Sequence, residues 1–420
     1  MRSHTPAEPR DDFDVVILGA GLNSLNLAIA FHAQYGMRST FVMRSSVAMN
    51  EKTVTADAVA LPLGTSDEEF AEALVELARR RPAGRPALLL TNDDTLIAFI
   101  DRFREQLEPH YLLTQIPRSL LDQLADKAEF AEICAGLDIP TPPTVTVDFS
   151  RAGQEGWNGH EELPWQFPVV AKPARTSDYA HVDFPGKRKV FMLESEQERR
   201  DLVESLTNAG FRGRFLFQEL IEGDDTTLRS ITAYRSTRGR VTLLCAAQVL
   251  LGEHTPEALG RPAAMITGSF PELTAQAERF LDHVDYVGFA NFDLKVDPRT
   301  GEAYFLEINP RIGRNNYYVT GAGEPVSRHI VADRIDGVDL DQVVVDREVL
   351  YSIVPRLWVR RYIRDRHLRR RFDRIARRAL RNPFRYGPER LWIKAYSVVS
   401  GANFVRKYLR VYPRPTDSGF

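Results

Sequence analysis

Residues 290–311 read Ala290-Asn-Phe-Asp-Leu-Lys-Val-Asp-Pro-Arg-Thr-Gly-Glu-Ala-Tyr-Phe-Leu-Glu-Ile-Asn-Pro-Arg311, and this stretch says most about the fold. Its middle, Asp297-Pro-Arg-Thr-Gly301, has the composition of a turn between two apolar runs, so we predict a β-hairpin. The first run carries Asp293, and the second carries Glu307 and Asn309. The hairpin would gather these side chains at one end of a sheet as oxygen ligands suited to Mg²⁺. The alternative is an ordinary hairpin with solvated acids.

Composition indicates a globular protein of two or three domains. The chain has 420 residues, of which 43% are hydrophobic and 27% charged. Cys134 and Cys245 lack the C-x-x-C spacing of a zinc or redox motif, which favours a reduced, cytoplasmic compartment. No apolar run reaches the length of a membrane span, and residues 1–14 lack the apolar core of a signal peptide.

The net charge of −2 conceals a strong asymmetry. Residues 351–420 contain 19 Lys plus Arg and 4 Asp plus Glu, a net charge of +15, so the other 350 residues carry −17. Apolar residues alternate with the arginines at near-helical spacing. A basic amphipathic helix is typical of association with an anionic membrane surface. Alternatively, the arginines pair with acids on the rest of the protein. No recognition motif accompanies the charge, so we expect no nucleic acid partner.

The N-terminal segment resembles a dinucleotide-binding unit. Asp14–Leu18 reads as a buried strand, Gly19-Ala-Gly21 as a turn, Ser24–Tyr35 as a helix and Ser39–Met43 as a second strand. The fingerprint is incomplete, because Ser24 replaces the third glycine and Arg44 stands where an acid would bind ribose. We therefore interpret the segment as a structural α/β domain, with nicotinamide or flavin chemistry as the alternative.

Two lysines indicate a site for phosphate groups. Lys127 lies on a predicted helix, Leu121–Gly136, and Lys172 emerges from a predicted buried strand, Phe167–Pro173. A lysine delivered from an apolar strand needs an anionic partner. The following segment, residues 174–190, is rich in basic residues and is expected to form a loop over the site. Lys127 could instead be an ordinary solvated side chain on its helix.

A further predicted strand, Phe215–Ile221, ends in the acidic turn Glu222-Gly-Asp-Asp225. A strand edge followed by such a turn offers backbone groups to an adenine and carboxylates to ribose hydroxyls. Downstream, Thr227–Tyr234 and Val241–Gln248 alternate as paired antiparallel strands do.

In this order the elements resemble the ATP-grasp superfamily. The features are a helix lysine, a strand Lys172-Pro, the hinge from Gln218 to Asp225, and Asp293 followed by Glu307-Ile-Asn-Pro-Arg311. The similarity covers about residues 120–340, and the preceding α/β segment resembles the domain that commonly precedes this fold.

Two stretches are more similar to carboxylate–amine ligases of the D-aspartate ligase type. One is Lys172-Pro-Ala-Arg-Thr-Ser-Asp-Tyr179 with Phe184-Pro-Gly-Lys-Arg-Lys-Val190, and the other runs from Glu307 to Gly323.

The resemblance implies ATP and Mg²⁺ as cofactors and assigns residues to each. The ATP phosphates would contact Lys127 and Lys172. The adenine would contact Gln218, Glu219, Leu220 and Ile221, and the ribose would contact Asp225. The Mg²⁺ ligands would be Asp293, Glu307 and Asn309. Catalysis would rest on Lys172, Arg311 and Arg314. Some relatives place an arginine where this chain has Asn291, so Arg311 or Arg314 would take over that role.

The resemblance implies a ligase that activates a carboxylate as an acyl phosphate and joins it to an amine. The donor would be an acidic amino acid such as D-aspartate, and the acceptor an amine of an anionic peptidoglycan precursor. Alternatives are a ligase for soluble small molecules, such as a dipeptide-forming enzyme, and a non-catalytic nucleotide-binding protein. We expect a cytoplasmic protein with peripheral contact at the inner face of the membrane.

The expected fold class is α/β, an α+β ATP-grasp fold preceded by a Rossmann-like parallel α/β domain. The predicted domains are residues 1–118 (Rossmann-like), 119–345 (ATP-grasp) and 346–420 (a basic, helical C-terminal segment).

Overall fold

A computed structural model describes residues 8–45, 47–255 and 258–416. The prediction that residues 1–14 lack the apolar core of a signal peptide falls partly outside these residues, since residues 1–7 are not among them.

The N-terminal domain is built on a parallel sheet in the order β3-β2-β1-β4-β5. Its strands are β1 Asp14–Leu18, β2 Ser39–Met43, β3 Ala56–Ala60, β4 Ala87–Leu90 and β5 Leu112–Leu113. Its helices are α1 Leu22–Tyr35, α2 Ala48–Lys52, α3 Asp67–Arg79, α4 Asp94–Arg102 and α5 Arg104–Leu107. The central strands are almost continuously apolar because helices cover both faces of the sheet. The predicted parallel α/β domain is therefore confirmed.

A small antiparallel sheet follows, in the order β6-β9-β7-β8. Its strands are β6 Thr144–Asp148, β7 Val169–Pro173, β8 Phe191–Leu193 and β9 Arg214–Glu219. The helices of this part are α6 Arg118–Ala125, α7 Lys127–Gly136, α8 Thr176–Ala180 and α9 Glu196–Asn208. Aromatic side chains, among them Phe149, Phe211 and Phe215, pack edge to face under the sheet and fix it on α9.

Two local predictions need correction here. The predicted helix over residues 121–136 is two helices, because Asp126 adopts an extended conformation (φ −88°, ψ 114°) and caps α7. The predicted loop over residues 174–190 contains the short helix α8. Lys127 is consequently the first residue of α7 and does not lie in the middle of a longer helix.

The large sheet has eight strands, of which seven follow the order β14-β13-β10-β11-β12-β16-β17, while β15 pairs with β11. The strands are β10 Leu228–Arg235, β11 Val241–Gly252, β12 Pro262–Gly268, β13 Gly288–Val296, β14 Ala303–Asn309, β15 Val343–Val345, β16 Leu350–Ser352 and β17 Leu380–Arg381. The helices α10 Pro271–His283, α11 Tyr317–Ala322 and α12 Val326–Arg334 flank it. Both α11 and α12 pack on α1, so one apolar core continues from the N-terminal domain into the large sheet.

The C-terminal segment is helical, as predicted. It contains α13 Arg356–Tyr362, α14 Arg366–Arg378 and α15 Leu391–Val411. Its strands β16 and β17 also extend the large sheet through β12. The proposed boundaries at 118 and 345 stay predictions, and the segment after residue 345 shares a sheet with the part that precedes it.

Candidate active site

The candidate active-site cleft has a volume of about 540 Å³ and lies where the small sheet, the large sheet and the N-terminal domain meet. The small sheet contributes β7 and the end of β9, and the large sheet contributes the hairpin of β13 and β14. The first turns of α1 and α4, which follow β1 and β4, add Leu22, Asn23 and Asp94. The ten residues to which the sequence assigned a ligand all line this cleft: Lys127, Lys172, Gln218, Glu219, Leu220, Ile221, Asp225, Asp293, Glu307 and Asn309. Asp94 lines it too, although the sequence did not single it out.

The hairpin has the predicted form. Asp293 lies directly opposite Glu307, and Asn291 directly opposite Asn309. Asn309 Nδ2 donates a hydrogen bond of 3.0 Å to Asp293 Oδ2. The turn brings the three expected metal ligands to the end of the sheet, facing the cleft.

The two carboxylates of the hairpin differ in their electrostatic surroundings. Burial, followed by the charge of Glu307, raises the pKa of Asp293 to about 7. Burial also disfavours the charged form of Glu307, but Lys127, Lys172 and Lys189 outweigh it and lower the pKa of Glu307 to about 2. Glu307 is therefore the fixed anion of the site, whereas at Asp293 the charge of Arg311 does not outweigh burial.

Lysines lie close to Glu307 in the cleft. Lys127 Nζ lies 3.3 Å from Glu307 Oε2. Burial and the nearby charge of Lys127 lower the pKa of Lys172 to about 8. Two ammonium groups that both interact with one carboxylate are suited to a ligand with several negative charges.

The hairpin residues fit Mg²⁺. Over the described ranges no group of three or more His, Cys, Asp or Glu side chains forms a metal site. Asp293 and Glu307 supply two carboxylates, which matches the one or two protein carboxylates that Mg²⁺ takes when nucleotide phosphates and water complete its shell. Asn309 presents its NH₂ group to Asp293 and its Oδ1 to Arg311. Turning this amide over would offer its oxygen to a cation. A bound cation would also stabilise the ionised form of Asp293, which burial disfavours.

The predicted adenine contacts lie at the end of β9. Gln218 Nε2 is used in a hydrogen bond of 2.8 Å to Thr144 Oγ1, and Glu219 N donates to Pro143 O at 2.9 Å. Leu220 and Ile221 lie beyond the last residue of the strand and line the cleft. Their backbone groups are thus better placed for an adenine than the side chain of Gln218, which holds β6 and β9 together.

Asp225 is engaged in contacts within the protein. Its Oδ2 accepts hydrogen bonds from Gly252 N (2.8 Å) and from His254 Nε2 (2.9 Å). The His254 ring stacks on Tyr412, with centroids 3.6 Å apart and an interplanar angle of 9°. Asp225 lines the cleft, so its assignment to ribose stays a prediction, and it also joins the cleft rim to the C-terminal segment.

The arginines after the hairpin face acids of the N-terminal domain. Arg311 Nε donates to Asp94 Oδ1 at 2.5 Å, and its Nη2 donates to Asn309 Oδ1 at 2.9 Å. The guanidinium of Arg314 lies 3.6 Å from both Asp93 and Asp94. The catalytic roles predicted for Arg311 and Arg314 therefore involve a partner carboxylate that follows β4.

Sequence reasoning missed several residues of the cleft. Lys295 lies two residues after Asp293 on β13 and also lines the cleft; burial lowers its pKa to about 8. Side chains two residues apart lie on the same face of a strand, so the position of Asp293 could have indicated Lys295. Asp94 and His254 come from distant parts of the chain and carried no local signal.

The loop Gly19–Gly21 does not present a free anion site. Gly21 N donates to Asn50 Oδ1 at 2.6 Å, so the amide that would meet a pyrophosphate is already used. This supports the interpretation of the N-terminal domain as structural.

Comparisons with known proteins place the chain in a family. It is 30% identical to a D-aspartate ligase of Enterococcus faecium over 329 residues, which is 77% of each protein. The chain belongs to the ATP-grasp family of ligases. The family profile described as carbamoyl-phosphate synthase L chain, ATP binding domain, matches residues 233–324.

Solved ATP-grasp structures share the fold. An N5-carboxyaminoimidazole ribonucleotide synthetase in complex with ADP is similar with a TM-score of 0.56 and 18% identity, over 82% of this chain and 81% of that one. An L-amino acid ligase from Bacillus licheniformis is similar with a TM-score of 0.53 and 15% identity, over 77% and 74%. The predicted fold class, the ATP-grasp resemblance and the ATP-dependent, ADP-forming carbon–nitrogen ligase class are confirmed, as are ATP and Mg²⁺ at the level of the family.

Proposed function

We propose that the protein is an ATP-dependent ligase that joins an acidic amino acid, such as D-aspartate, to an amine of a peptidoglycan precursor. The observation that carries this proposal is the cleft in which Asp293 and Glu307 face Lys127 and Lys172. The similarity of the chain to a D-aspartate ligase supports the choice of an acidic amino acid as donor.

In this proposal, Lys127 and Lys172 bind ATP phosphates, and Asp293, Glu307 and Asn309 hold Mg²⁺. The bound cation would neutralise charge on the transferring phosphoryl group. The backbone groups of Leu220 and Ile221 contact adenine, and Gln218 and Glu219 line the same side of the cleft. The domain boundaries at 118 and 345 are part of the same proposal.

The donor site is proposed at the arginine-rich end of the cleft. Arg261, Arg311 and Arg314 line it, opposite Asp94. An acidic amino acid has two carboxylates and an ammonium group, and this arrangement offers guanidinium groups for the carboxylates and a carboxylate for the ammonium group. We assign Arg311 to the carboxylate that reacts, because it also contacts the metal ligand Asn309. Arg314 and Arg261 would bind the second carboxylate.

The reaction then has two steps. A carboxylate oxygen of the donor attacks the γ-phosphorus of ATP, which releases ADP and forms an acyl phosphate. The acceptor amine attacks the carbonyl carbon, the amide bond forms, and phosphate leaves. Residues 174–190, with Lys189 near Lys172 and Glu307, would exclude water from the intermediate, because an acyl phosphate hydrolyses if exposed.

The proposed acceptor is anionic and is handled at the inner face of the membrane. The net charge of +15 on residues 351–420 supports this location. The structure also shows that part of this charge is used internally, since Arg360 pairs with Asp373 and Arg371 with Glu348. The described helices include none that could span a membrane.

A second candidate is a ligase for soluble amino acids, favoured by the similarity to the fold of an L-amino acid ligase. One assay separates the two: ADP release with Mg²⁺ and ATP across D- and L-amino acids, with and without a stem-peptide acceptor. The first proposal predicts release that requires both an acidic amino acid and the peptide. Release with two free amino acids would favour the second candidate, and release that depends on neither would reject both.

A further inference from the structure

The outer face of α15 carries a row of exposed apolar side chains. Leu391 is 82% exposed, Val398 63% and Val399 65%, on a helix whose successive turns place them on one side. Trp392 and Tyr396 lie on the same part of the helix and stack on each other, with centroids 5.7 Å apart. Large exposed apolar patches on folded proteins mark surfaces that meet a partner.

Basic side chains bracket this apolar row, and α15 itself contains no Asp or Glu. Lys52 Nζ lies 4.5 Å above the Trp392 ring at one end, where Arg390 is also exposed. Arg406 and Arg410 are exposed at the other end. A second copy of the same face would place basic residues against basic residues in either orientation of the helices, so self-association is disfavoured.

The inner face of α15 is fixed to the cleft. Phe404 lines the cleft, and Tyr408 donates a hydrogen bond of 2.8 Å to Gly252 O, beside the amide that Asp225 binds. At Gly401 a Cβ atom would lie 3.1 Å from Pro355, so the helix packs closely on the segment before α13. One face of α15 is thus a wall of the active site, and the other is presented to the outside.

We infer that the outer face of α15 docks on an anionic lipid bilayer surface. Exposed apolar and aromatic side chains enter the headgroup region, and the basic residues at both ends contact acidic headgroups. The helix lies along the surface, which agrees with the finding that no described helix is long and apolar enough to cross a membrane. The docking would hold the cleft wall that contains Phe404 next to the membrane. This inference goes beyond the ligase proposal, since the docking needs no substrate.

The test is co-sedimentation of the full chain with vesicles of phosphatidylglycerol and phosphatidylcholine, compared with vesicles of phosphatidylcholine alone. We expect binding only to the anionic vesicles. The double variant V398E/V399E is expected to lose about tenfold or more of this affinity. Leu63→Glu is the matched control, because Leu63 is 92% exposed on the loop after β3, and it should bind as the wild type does.

ADP formation with soluble substrates should be unchanged in V398E/V399E, which shows that the variant folds and separates the docking from the reaction. Wild-type protein that fails to bind the anionic vesicles, or V398E/V399E that binds them as well as wild type, would overturn the inference. Equal binding to phosphatidylcholine alone would also overturn it. So would a wild-type dimer in light scattering that V398E/V399E dissociates, because the face would then be an interface between copies.

Discussion

At the scale of single residues, the charge balance of the cleft is uneven before ligands bind. Lysines compensate the charge of Glu307, whereas Arg311 compensates Asp293 only in part, and the pKa of Asp293 is raised to about 7. Keeping a partly compensated carboxylate at this position costs stability, and a bound cation would remove that cost.

Asp293→Asn should therefore lower the activity of the protein and raise its stability. ADP formation should fall about 100-fold or more, since a catalytic metal contributes several kcal/mol. The melting temperature of the ligand-free protein should rise. The folded protein holds the Asp293 proton up to about pH 7, whereas the unfolded chain releases it near pH 3.9, so wild-type stability falls with rising pH in that window. The advantage of the variant should grow over the same window in thermal unfolding.

Glu302→Gln is the control, because Glu302 is exposed at the opposite end of the same hairpin. A ligand-free Asp293→Asn protein that melts below wild type at about pH 8 would contradict the charge balance described for the cleft.

Arg314→Lys tests the donor site. Lysine keeps the charge but loses the planar pair of donors, so we expect KM for the acidic amino acid to rise about tenfold with little change in kcat. KM for ATP should not change. Steady-state kinetics with each substrate varied in turn checks this, and a rise in the KM for ATP instead would move Arg314 to the phosphate site.

Residue assignments could be predicted from the sequence where the chemistry is local. Asp293, Glu307 and Asn309 belong to one hairpin, so turn composition and alternation suffice to bring them together. Asp94 could not be found in this way, because its partner Arg311 is 217 residues further along the chain.

At the scale of elements, the junction of α6 and α7 positions Lys127. Asp126 is almost fully buried and accepts hydrogen bonds from the amides of Ala128 and Glu129, and it pairs with Arg175 and Arg214. Burial opposes its ionisation, but the hydrogen bond and charge of Arg214 and the two backbone hydrogen bonds together outweigh burial and lower the pKa of Asp126. One carboxylate thus starts the helix that carries Lys127 and fastens it to the small sheet.

Asp126→Ala should lower the free energy of unfolding by about 2 kcal/mol, from the lost cap and the lost ion pairs. Asp126→Asn keeps the cap and should lose less. Because the pKa of Asp126 is lowered in the folded state, its contribution is present above about pH 4 and disappears as pH falls further. Urea unfolding at several pH values measures this, and a difference that is constant down to pH 2 would contradict it.

The segment over residues 174–190 should respond to nucleotide. Lys187 Nζ donates to Ala180 O and Val182 O, and the basic run that follows contains exposed trypsin sites. Mg²⁺ with a non-hydrolysable ATP analogue should slow cleavage after Arg188 by about tenfold if the segment closes over the phosphates. Cleavage at Arg80, on the loop after α3, should be unaffected. Equal protection at both positions would indicate global stabilisation rather than closure.

Strands and the hairpin could be predicted because apolar alternation and turn residues are local. The break between α6 and α7 was missed because Asp126 is unremarkable as a helix residue, and its role as a cap depends on arginines from β9 and the segment after β7.

At the scale of the whole molecule, the cleft depends on two parts of the chain that sequence periodicity cannot bring together. The N-terminal domain supplies Asp94 to Arg311, and Asn26 Nδ2 donates to Arg314 O at 2.9 Å. The C-terminal segment adds β16 and β17 to the large sheet and Phe404 to the cleft. These joints are tertiary contacts with no local pattern, and for this reason the sequence predicted a separate basic segment rather than a cleft wall.

Asp94→Asn tests the joint between the N-terminal domain and the hairpin. Arg311 would keep a buried charge without its carboxylate, so we expect a higher KM for the donor amino acid and an unchanged KM for ATP. Asp67→Asn, which removes ion pairs to Arg44 and Arg102 in the same domain, is the control and should leave both constants unchanged. An Asp94→Asn enzyme with wild-type kinetics would show that the joint plays no part in donor binding.

The central claim is that the cleft activates a carboxylate by phosphorylation. The most direct measurement uses a donor amino acid whose carboxylates carry ¹⁸O, with Mg²⁺, ATP and the stem-peptide acceptor, and mass spectrometry of the phosphate released. The account predicts that each phosphate contains a single labelled oxygen, because the carboxylate oxygen that attacks the γ-phosphorus leaves with it. Phosphate without label, formed together with the amide product, would contradict the account.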